Sequence, residues 1–542
     1  MGHDGRMRRW NGWGDEADDT HVGGAGRKFL TRTLGPGTPP RDATLAQVVA
    51  AVPPSRLPDA ADDPLLSTDP ELRVRRARGQ SFPDLIALRS GRLEAVPDAV
   101  ARPATNADVR HVIDVARRQA VRLIPYGGGT SVVGGVSARP SPDPLITVDL
   151  AGLNAVTAVD DRSGLATVGA GITGPDLATA LAARGLTIGH EPQSWELATV
   201  GGWVAARGSG LKSLGVGRIE QLYAGGTLEA PAGTLDMAPF PASAAGPDLR
   251  QLVLGSEGRL GFLTDVILRA TPLPEMERME AWALPGWDEG QDAIRELVQA
   301  RPGLSLLRLS TPAETQTLLA FADRPSQTRA LSTYLRVRRR PSDWVLLLVG
   351  ASGRRRVAKA AAAEAASVLR THHGTRIPSL AKTWYRTRFR SPYLRNALWG
   401  AGYGSDTLET ATDWSHVPLL LARLEASLAN ALAPFGERAH VFTHLSHLYP
   451  SGSSLYVTYL FRLAADPDET LARWQALKRA ASDTISAEGA TISHHHGVGT
   501  DNAPYLAAEK GPLGMAALES IVRTFDPEGL MNPGVLLSDR HG

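Results

Sequence analysis

Three consecutive histidines near the end of the chain are suited to chemistry close to neutral pH. They are His494, His495 and His496, in the stretch SHHHGVGT before a glycine-rich turn. Such a run is compatible with acid/base catalysis, phosphate binding, a metal site or a structural cluster; its internal position disfavours a tag remnant. We expect a strand to lead into the turn. Because strand neighbours point to opposite faces, the three cannot all reach one ion. The pattern favours a role in acid/base catalysis or phosphate binding and predicts no metal site.

Three glycine-rich stretches with small hydroxyl side chains lie in the first half of the chain. They are PYGGGTSVVGG (125–135), GHEPQSWELATVGGWVAARGSG (189–210) and LGSEGRLGFLT (254–264). Glycine lets the backbone approach a bulky anion, and successive N–H groups can form a nest for phosphate. The first stretch lacks the strand–turn–helix context of the GxGxxG dinucleotide fingerprint, and alone it is equally compatible with a structural turn. Together the three predict a cradle for one long ligand with phosphates and a flat ring.

Composition excludes several classes of site and partner. The chain has 542 residues, a net charge of +2 and no cysteine. Disulfides, thiol nucleophiles, iron–sulfur clusters and cysteine–zinc sites are therefore excluded, and no basic run suggests a nucleic-acid partner. No apolar stretch matches a membrane span or a signal peptide. We expect a cytoplasmic protein, with peripheral membrane contact and a homodimer left open.

Hydrophobic periodicity and turn residues divide the chain into four parts. Residues 1–94 predict a loosely ordered arm with helices, and residues 95–275 alternate strands and helices around the glycine-rich turns. Residues 276–475 predict helices packed on a mostly antiparallel sheet, and residues 476–542 return to the second part with the histidine turn. A helix should begin after Thr105, which can cap it. The fold class predicted is α+β.

The motifs resemble a known family. The three glycine-rich stretches are similar to the flavin-binding segments of the vanillyl-alcohol oxidase type FAD domain. RWNGWGD, GHEPQSWELATVGGW, FRSPYLR, SLYVTYLF and SHHHGVG narrow the resemblance to alkyldihydroxyacetonephosphate (alkylglycerone-phosphate) synthases, over nearly the whole chain. This resemblance implies a vanillyl-alcohol oxidase type FAD-binding domain with a cap domain of helices on an antiparallel sheet.

The resemblance implies FAD as the cofactor, bound without a covalent link. Cysteine is absent, no histidine lies in or beside the first glycine-rich turn, and His190 matches a position that does not tether the flavin in the synthases compared. The positions matching the family's flavin contacts are Pro125, Tyr126, Gly127, Gly128, Gly129, Thr130, Ser131, Gln193, Ser194, Thr199, Gly201, Gly202, Ala206, Arg207, Ser209, Gly255, Ser256, Glu257, Gly258 and Gly261.

The resemblance also implies a reaction and its residues. Synthases of this family replace the acyl chain of acyl-dihydroxyacetone phosphate by a fatty alcohol, while flavin N5 traps the ketone phosphate unit. Tyr456 matches the acid/base tyrosine, and a neighbouring cation could lower its pKa from about 10. Arg395 matches the arginine at the substrate phosphate, Arg308 matches another active-site arginine, and the three histidines match the family's triple histidine. The implied partners are lipid-like substrates.

Two other functions stay open at this stage. One is an FAD-dependent 2-hydroxy-acid dehydrogenase of the D-lactate or glycolate type, but its GHxGDGNxH stretch is replaced here by SHLYPSGSSLYVTY, in which only His447 is retained. The other is a flavin-binding protein without catalysis, which the retained site residues argue against. His444 and His447 are interpreted as polar residues near the site. Thr500 and Asp501 replace the lysine that follows the histidine turn in animal synthases.

Overall fold

The computed structural model describes residues 7–57, 60, 62–338, 343–378 and 380–537. The outer ends of the predicted arm and of the predicted C-terminal part, residues 1–6 and 538–542, therefore lie outside the described residues. The helices are α1 (Gly24–Leu34), α2 (Leu45–Ala50), α3 (Pro70–Arg75), α4 (Phe82–Ser90), α5 (Asn106–Gln119), α6 (Gly174–Ala182), α7 (Val200–Ala205), α8 (Ser213–Val216), α9 (Ile219–Leu222), α10 (Arg250–Val253), α11 (Trp287–Ala300), α12 (Pro312–Phe321), α13 (Pro325–Val337), α14 (Arg355–Thr371), α15 (Leu380–Arg386), α16 (Leu394–Trp399), α17 (Val417–Asn430), α18 (Pro467–Ala487) and α19 (Leu506–Phe525).

The strands form four sheets. Their bounds are β1 (Leu66–Ser67), β2 (Ala99–Ala101), β3 (Arg122–Tyr126), β4 (Leu145–Asp149), β5 (Val156–Asp160), β6 (Leu165–Gly169), β7 (Leu186–Thr187), β8 (Tyr223–Ala230), β9 (Gly233–Met237), β10 (Phe262–Arg269), β11 (Thr271–Pro272), β12 (Met276–Leu284), β13 (Leu306–Ser310), β14 (Val345–Gly353), β15 (Thr375–Ile377), β16 (Tyr403–Asp413), β17 (Ala439–Tyr449) and β18 (Gly452–Arg462). Helices and antiparallel sheets together confirm the predicted α+β class.

Two of these sheets carry the glycine-rich turns. One has the order β1-β2-β4-β3, with β2, β4 and β3 parallel, and the other is an antiparallel sheet with the order β5-β6-β10-β8-β9. Helix α5 begins as predicted after Thr105, whose side chain accepts from the Asp108 N–H in a capping box. The apolar face of α5 packs on β3 and β4. The first glycine-rich turn follows directly from the end of β3 at Tyr126.

The third large sheet has seven strands, and every pairing in it is antiparallel. Its order is β15-β12-β14-β13-β17-β18-β16. Helices α11, α14, α17 and α18 cover one face and contribute to the largest hydrophobic core. Helix α14 turns its alanine side toward this core. Helix α18 runs through residue 475, so the predicted domain boundary falls within a continuous helix.

Strand alternation places polar residues on the other face of this sheet. Leu455, Val457 and Tyr459 of β18 belong to the helix-covered core. Tyr456 lies between them in sequence and therefore projects from the opposite face. The same alternation applies to Arg308 of β13, which follows the core residue Leu307. The polar face is thus built by sheet geometry.

The C-terminal part lies against the strand that leads into the first glycine-rich turn. The Leu123 N–H donates to the Leu530 carbonyl at 2.8 Å, and the Asn532 N–H donates to the Leu123 carbonyl at 2.7 Å. The Asn532 amide also donates to the carbonyls of Gly135 and Glu257. One side chain therefore joins the first and third glycine-rich stretches.

Two sequence-based expectations were wrong. The arm is not loosely ordered over its described residues: Trp13, Leu30 and Leu34 are buried, and α1 packs against residues of α12, α16 and β17. No strand leads into the histidine turn, because residues 490–499 are irregular and bend along β16. Among the described residues, none of the helices combines the length and apolar content needed to cross a membrane.

We expect Phe82→Ala to destabilise the protein strongly, because Phe82 anchors the arm to the seven-stranded sheet. Its ring is 1% exposed and lies 5.3 Å from the Phe461 ring and 6.3 Å from the Trp474 ring between centroids. Removing a buried phenyl ring costs about 3–5 kcal/mol. Thermal unfolding should show a large fall in Tm for this variant and almost none for Phe240→Ala, whose side chain is 61% exposed. Equal Tm values for the two variants would contradict this packing.

Candidate active site

A single cavity lies between the glycine-rich turns and the polar face of the seven-stranded sheet. The volume of this cavity is about 420 Å³, within the usual size range of ligand sites. Most residues that the sequence pointed to line it: Pro125, Tyr126, Gly127, Gly128, Gly129, Thr130, Ser131, Gln193, Ser194, Thr199, Gly201, Gly202, Ala206, Ser209, Ser256, Glu257, Gly258, Gly261, Arg308, Arg395, Tyr456, His495 and His496. Residues more than 300 positions apart in sequence thus meet at one site.

The first glycine-rich turn packs closely against the second glycine-rich stretch. A Cβ atom on Gly128 would lie 2.0 Å from the Leu197 carbonyl oxygen, and one on Gly127 would lie 2.3 Å from Thr199 Oγ1. Gly129 has φ +61°, which favours glycine. The Gln193 Oε1 atom is buried at the cavity wall without a hydrogen-bond partner among the described residues. The close packing positions the turn at the cavity, and the Gln193 amide oxygen is available there to a ligand.

Three of the predicted site residues do not line the cavity. Arg207 instead pairs with Glu220 at 2.5 Å and donates to Gln251. Gly255 adopts φ +81° beside Arg207, so it allows the backbone to turn there. His494 is buried behind the other two histidines.

Glu257 connects the third glycine-rich turn to the histidine turn. Its carboxylate accepts from the backbone N–H groups of Val498 and Gly499, the latter at 2.6 Å. Burial raises the pKa of Glu257 to about 7, although the two N–H donors act in the opposite direction. Gly497 must be glycine here, because a Cβ atom would lie 2.4 Å from Glu257 Oε1. Glu257 therefore holds the backbone that follows the histidines.

The three histidines have different surroundings. The bent segment lies against β16 through the His494 N–H, which donates to the Glu409 carbonyl at 3.0 Å. The His494 Nε2 atom is 2.6 Å from the Tyr449 hydroxyl and 3.4 Å from an Arg218 guanidinium nitrogen. His495 and His496 reach the cavity, and His495 also contacts the Glu409 carboxylate.

Glu409 is a buried acid that the sequence reasoning missed. Its carboxylate lies 3.2 Å from His494 Nδ1 and also contacts His495 Nδ1. Burial opposes ionisation, but His495 and His494 hold the pKa of Glu409 well below its usual range. Alternation along β16, in which Leu408 faces the core, was the one available sequence signal.

The same geometry corrects the argument made against a metal site. That argument assumed strand alternation, yet the irregular backbone turns His494 and His495 toward one carboxylate. Their donor atoms and those of Glu409 lie within 4.8 Å of one another, a spacing that a metal ion could use. The absence of a metal site therefore stays a prediction and no longer follows from strand geometry.

Tyr456 occupies the middle of the polar face. It pairs in register with His444 on β17 and Glu409 on β16, and its ring stacks on His444 with centroids 4.7 Å apart. The hydroxyl donates to Thr407 Oγ1 at 3.3 Å. Burial raises the pKa of Tyr456 to about 12, which outweighs the attraction of Arg395. The expectation that a neighbouring cation lowers this pKa was therefore wrong.

The two predicted substrate arginines differ in how far they are already paired. Arg308 Nη2 donates to Glu314 Oε1 at 2.8 Å and contacts His444 Nδ1 at 3.2 Å. Burial opposes ionisation of Glu314, yet Arg308 and His444 lower its pKa to about 2. Arg308 is thus neutralised by a buried carboxylate.

Arg395 is better placed to bind an anion. Its Nη1 donates to the Gln80 carbonyl at 2.7 Å, which fixes the side chain. Its Nη2 is buried without a hydrogen-bond partner within the described part of the chain and is 3.6 Å from Asp406. Arg395 therefore keeps one donor free at the cavity wall.

His447 joins the site through a β-bulge. The register of β17 against β18 shifts between Ser446 and Leu448, and His447 takes φ +48°. This turns its ring into the cavity, where Nδ1 lies 3.1 Å from Ser209 Oγ and 2.9 Å from Ser213 Oγ. Burial lowers the pKa of His447 to about 3, so the ring is neutral.

The remaining wall of the cavity is apolar. It comes from α12, α16 and the neighbouring strands and from the packed arm, and its residues are Trp13, Leu306, Leu307, Leu318, Phe321, Trp384, Leu394, Leu398, Phe442 and Leu460. An apolar wall of this extent next to a polar end suits a ligand with a hydrocarbon chain.

Two protein-family models match the chain. The FAD binding domain model matches residues 97–236, and the model for the C-terminal domain of FAD linked oxidases matches residues 273–536. The first match includes the glycine-rich turns at 125–135 and 189–210, and the second includes the seven-stranded sheet and the histidine turn. FAD is the cofactor of this protein.

Known proteins similar to the chain extend over nearly its whole length. The alkyldihydroxyacetonephosphate synthase of Trypanosoma brucei brucei is 26% identical over 98% of this chain and 92% of its own length. The synthase of Dictyostelium discoideum is 28% identical over 89% of this chain and 79% of its own length. A solved alkyldihydroxyacetonephosphate synthase structure superposes with a TM-score of 0.83 at 24% identity, covering 97% of this chain and 98% of that one, and so shows the same fold.

The family models, the full-length similarity and the shared fold agree with the motifs quoted above. The chain belongs to the alkyldihydroxyacetonephosphate synthase family, within the vanillyl-alcohol oxidase type FAD-binding superfamily.

Proposed function

We propose that this protein is an FAD-dependent alkyldihydroxyacetonephosphate synthase. It would exchange the acyl chain of acyl-dihydroxyacetone phosphate for a fatty alcohol, releasing a fatty acid and forming an ether bond. The observation that carries the proposal is the composition of the one cavity: glycine-rich flavin turns, an arginine with a free donor and a long apolar wall meet there.

Arg395 is proposed to bind the substrate phosphate. Guanidinium matches phosphate oxygens through its planar fork, and the Nη2 atom has no competing hydrogen bond among the described residues. Arg308 would act mainly on the electrostatics of the site, because Glu314 balances its charge. The apolar wall would hold the acyl or alkyl chain.

Tyr456 and the histidines are proposed to handle protons. With a pKa of about 12, the Tyr456 phenol is protonated and acts as a hydrogen-bond and proton donor. His495 and His496 line the same cavity, and burial keeps their pKa values below the usual histidine range. They therefore enter the reaction as neutral imidazoles that can accept a proton.

Bound FAD supplies an electrophilic ring at which the ketone phosphate unit is retained during the exchange of chains. We propose that the cofactor is held without a covalent bond, since the first glycine-rich turn offers no histidine or cysteine. We also propose peripheral contact with membranes, because both proposed substrates partition into lipid. A homodimer stays a prediction from the sequence.

Anaerobic spectroscopy of the purified flavoprotein tests the function directly. Palmitoyl-dihydroxyacetone phosphate should bleach the flavin absorbance and release palmitate, and hexadecanol should restore the absorbance while the alkyl ether product forms. D-lactate and D-2-hydroxyglutarate should have no effect. Bleaching by either hydroxy acid, reversed by an electron acceptor and not by hexadecanol, would replace the proposal with a dehydrogenase.

Arg395→Ala should raise the KM for the acyl ketone phosphate while FAD content stays normal. Loss of a charge-assisted hydrogen bond costs about 1.5–3 kcal/mol, which corresponds to roughly 10- to 150-fold. Arg308→Ala is the matched comparison and should reduce Tm instead, because the buried Glu314 carboxylate loses its arginine partner and keeps His444 beside it. Steady-state kinetics and thermal unfolding separate the two effects. An unchanged KM in Arg395→Ala would remove Arg395 from the phosphate site.

Tyr456→Phe should reduce kcat by about 10²–10⁴-fold if the phenol donates a proton. Because its pKa is about 12, the native enzyme should show no alkaline inflection near the ordinary tyrosine value of about 10. A pH–rate profile of both proteins checks this, with Thr407→Val as a control that removes only the hydroxyl's acceptor. An inflection near pH 10 that disappears in Tyr456→Phe would contradict the burial effect.

A further inference from the structure

We propose that Glu409 is a positioning residue that fixes the tautomer of His495 and presents its Nε2 atom to the cavity as the proton acceptor. Glu409 was not among the residues suggested by the sequence, and the inference rests on the proposed function for the identity of the proton that is moved. It is carried by the arrangement of three side chains and by what surrounds each of their polar atoms.

The Glu409 carboxylate is removed from solvent. The residue is 2% exposed, and its side chain has no exposed surface. A buried carboxylate is stable only when N–H or O–H groups or a cation face it. Within the described residues, the nitrogens that lie within ion-pair distance of it are Nδ1 of His494, at 3.2 Å, and Nδ1 of His495.

The protons of the two imidazoles can be assigned from these contacts. A lone pair on Nδ1 would face the carboxylate oxygens and be repelled, so each Nδ1 carries its proton toward Glu409. The opposite nitrogen of His494 is consistent with this, because its Nε2 accepts from the Tyr449 hydroxyl at 2.6 Å. Both ring nitrogens of His494 therefore have partners.

His495 differs from His494 in having one nitrogen left for chemistry. Its Nδ1 is engaged by Glu409, and the residue lines the cavity that holds Tyr456 and the glycine-rich turns. Its Nε2 therefore carries the lone pair on the reacting side. His495 lies 6.4 Å from Tyr456 between ring centroids, close enough for acceptor and donor to act on one substrate.

The proton transfer assigned to this pair is balanced. The C1–H bond of the acyl ketone phosphate breaks, the proton moves to His495 Nε2, and the electron pair stays on C1, conjugated with the neighbouring ketone. The imidazolium formed is stabilised by the Glu409 carboxylate, as in other buried acid–histidine pairs. When the alcohol oxygen has replaced the acyl oxygen on C1, the fatty acid leaves with the alcohol's hydroxyl proton, and His495 Nε2 returns its proton to C1.

The groups facing His495 set its acidity. These groups are Glu409 on β16, His447 on β17, Tyr456 on β18, and His494 and His496 on its own segment. Burial and the other imidazoles disfavour the imidazolium, and Glu409 is the one group among these that favours it. Removing the Glu409 charge should therefore shift the acid limb of the pH–rate profile to lower pH.

A metal ion is the competing occupant of the same three side chains. The donor atoms are spaced closely enough to admit one. However, His494 Nε2 is already used by the Tyr449 hydroxyl. Neither oxygen of the Glu409 carboxylate makes a hydrogen bond of standard geometry among the described residues, so metal content is measured as an outcome of the test.

The test uses the FAD-loaded protein and its Glu409→Gln variant. Glutamine keeps the shape and one acceptor oxygen but presents an NH₂ group to the second Nδ1. ¹⁵N spectra of histidine-labelled protein, assigned with a His495→Gln variant, should show His495 with its proton on Nδ1 in the native protein and a mixture in Glu409→Gln. This readout needs no substrate, so it separates the positioning inference from the proposed reaction.

Kinetics supply the second readout. Glu409→Gln should lower kcat by about 10²–10⁴-fold at unchanged FAD content, with the acid limb shifted to lower pH. His495→Ala should lose similar activity and recover part of it with added imidazole. The matched control is Glu425→Gln, a half-buried glutamate that accepts from the Thr443 hydroxyl at 2.8 Å and does not line the cavity, and this variant should keep native turnover.

Three results would overturn the positioning role. These are a His495 proton on Nε2 in the native protein, Glu409→Gln indistinguishable from Glu425→Gln in tautomer and turnover, or a stoichiometric divalent metal in the native protein that Glu409→Gln lacks. A native protein with the expected tautomer but no turnover of acyl-dihydroxyacetone phosphate would support the positioning role and overturn the proposed function.

Discussion

The two-residue alternation of the seven-stranded antiparallel sheet is the constraint on which the site depends. One face of that sheet is sealed by four helices, so alternate residues of β13, β16, β17 and β18 point into the core that those helices cover. The intervening residues are free to be polar because they face the glycine-rich turns instead. Arg308, His444, Tyr456 and Glu409 are on one face for this reason, and a shift of one residue in register would bury all of them in the core.

The site is completed by close approach of backbone to backbone. Glycine at positions 127 and 128 lets the first turn lie against Leu197 and Thr199, and glycine at 497 lets the histidine turn lie against Glu257. Glu257 and Asn532 then connect three chain segments that are far apart in sequence. The first and third glycine-rich stretches, which we predict to contact FAD, therefore also hold the histidine turn in place.

Each buried charge in the cavity has its own neighbouring charges. Two residues of the same type therefore differ in the contacts they can still make to a ligand. Glu314 neutralises Arg308 and leaves Arg395 as the arginine with a free donor. Glu409 contacts Nδ1 of both His494 and His495. Of these two histidines, only His495 lines the cavity. Tyr456 has no cation close enough to outweigh its burial, so it stays a phenol. The chemistry follows from these pairings more than from residue type.

Most of the site residues that the sequence indicated line the cavity. The sequence by itself determined the α+β class, the glycine-rich stretches and the family, because strand alternation, turn glycines and capping residues such as Thr105 are local signals. It did not reveal Glu409 or the bulge that brings in His447, and it led to a strand before the histidines that is not there. It also gave the wrong direction for the pKa of Tyr456. Tertiary packing alone decides which charges pair and which ring nitrogen is free, because both depend on burial and on neighbours from other strands. Electrostatic interactions act through space, and the exclusion of water sets their strength.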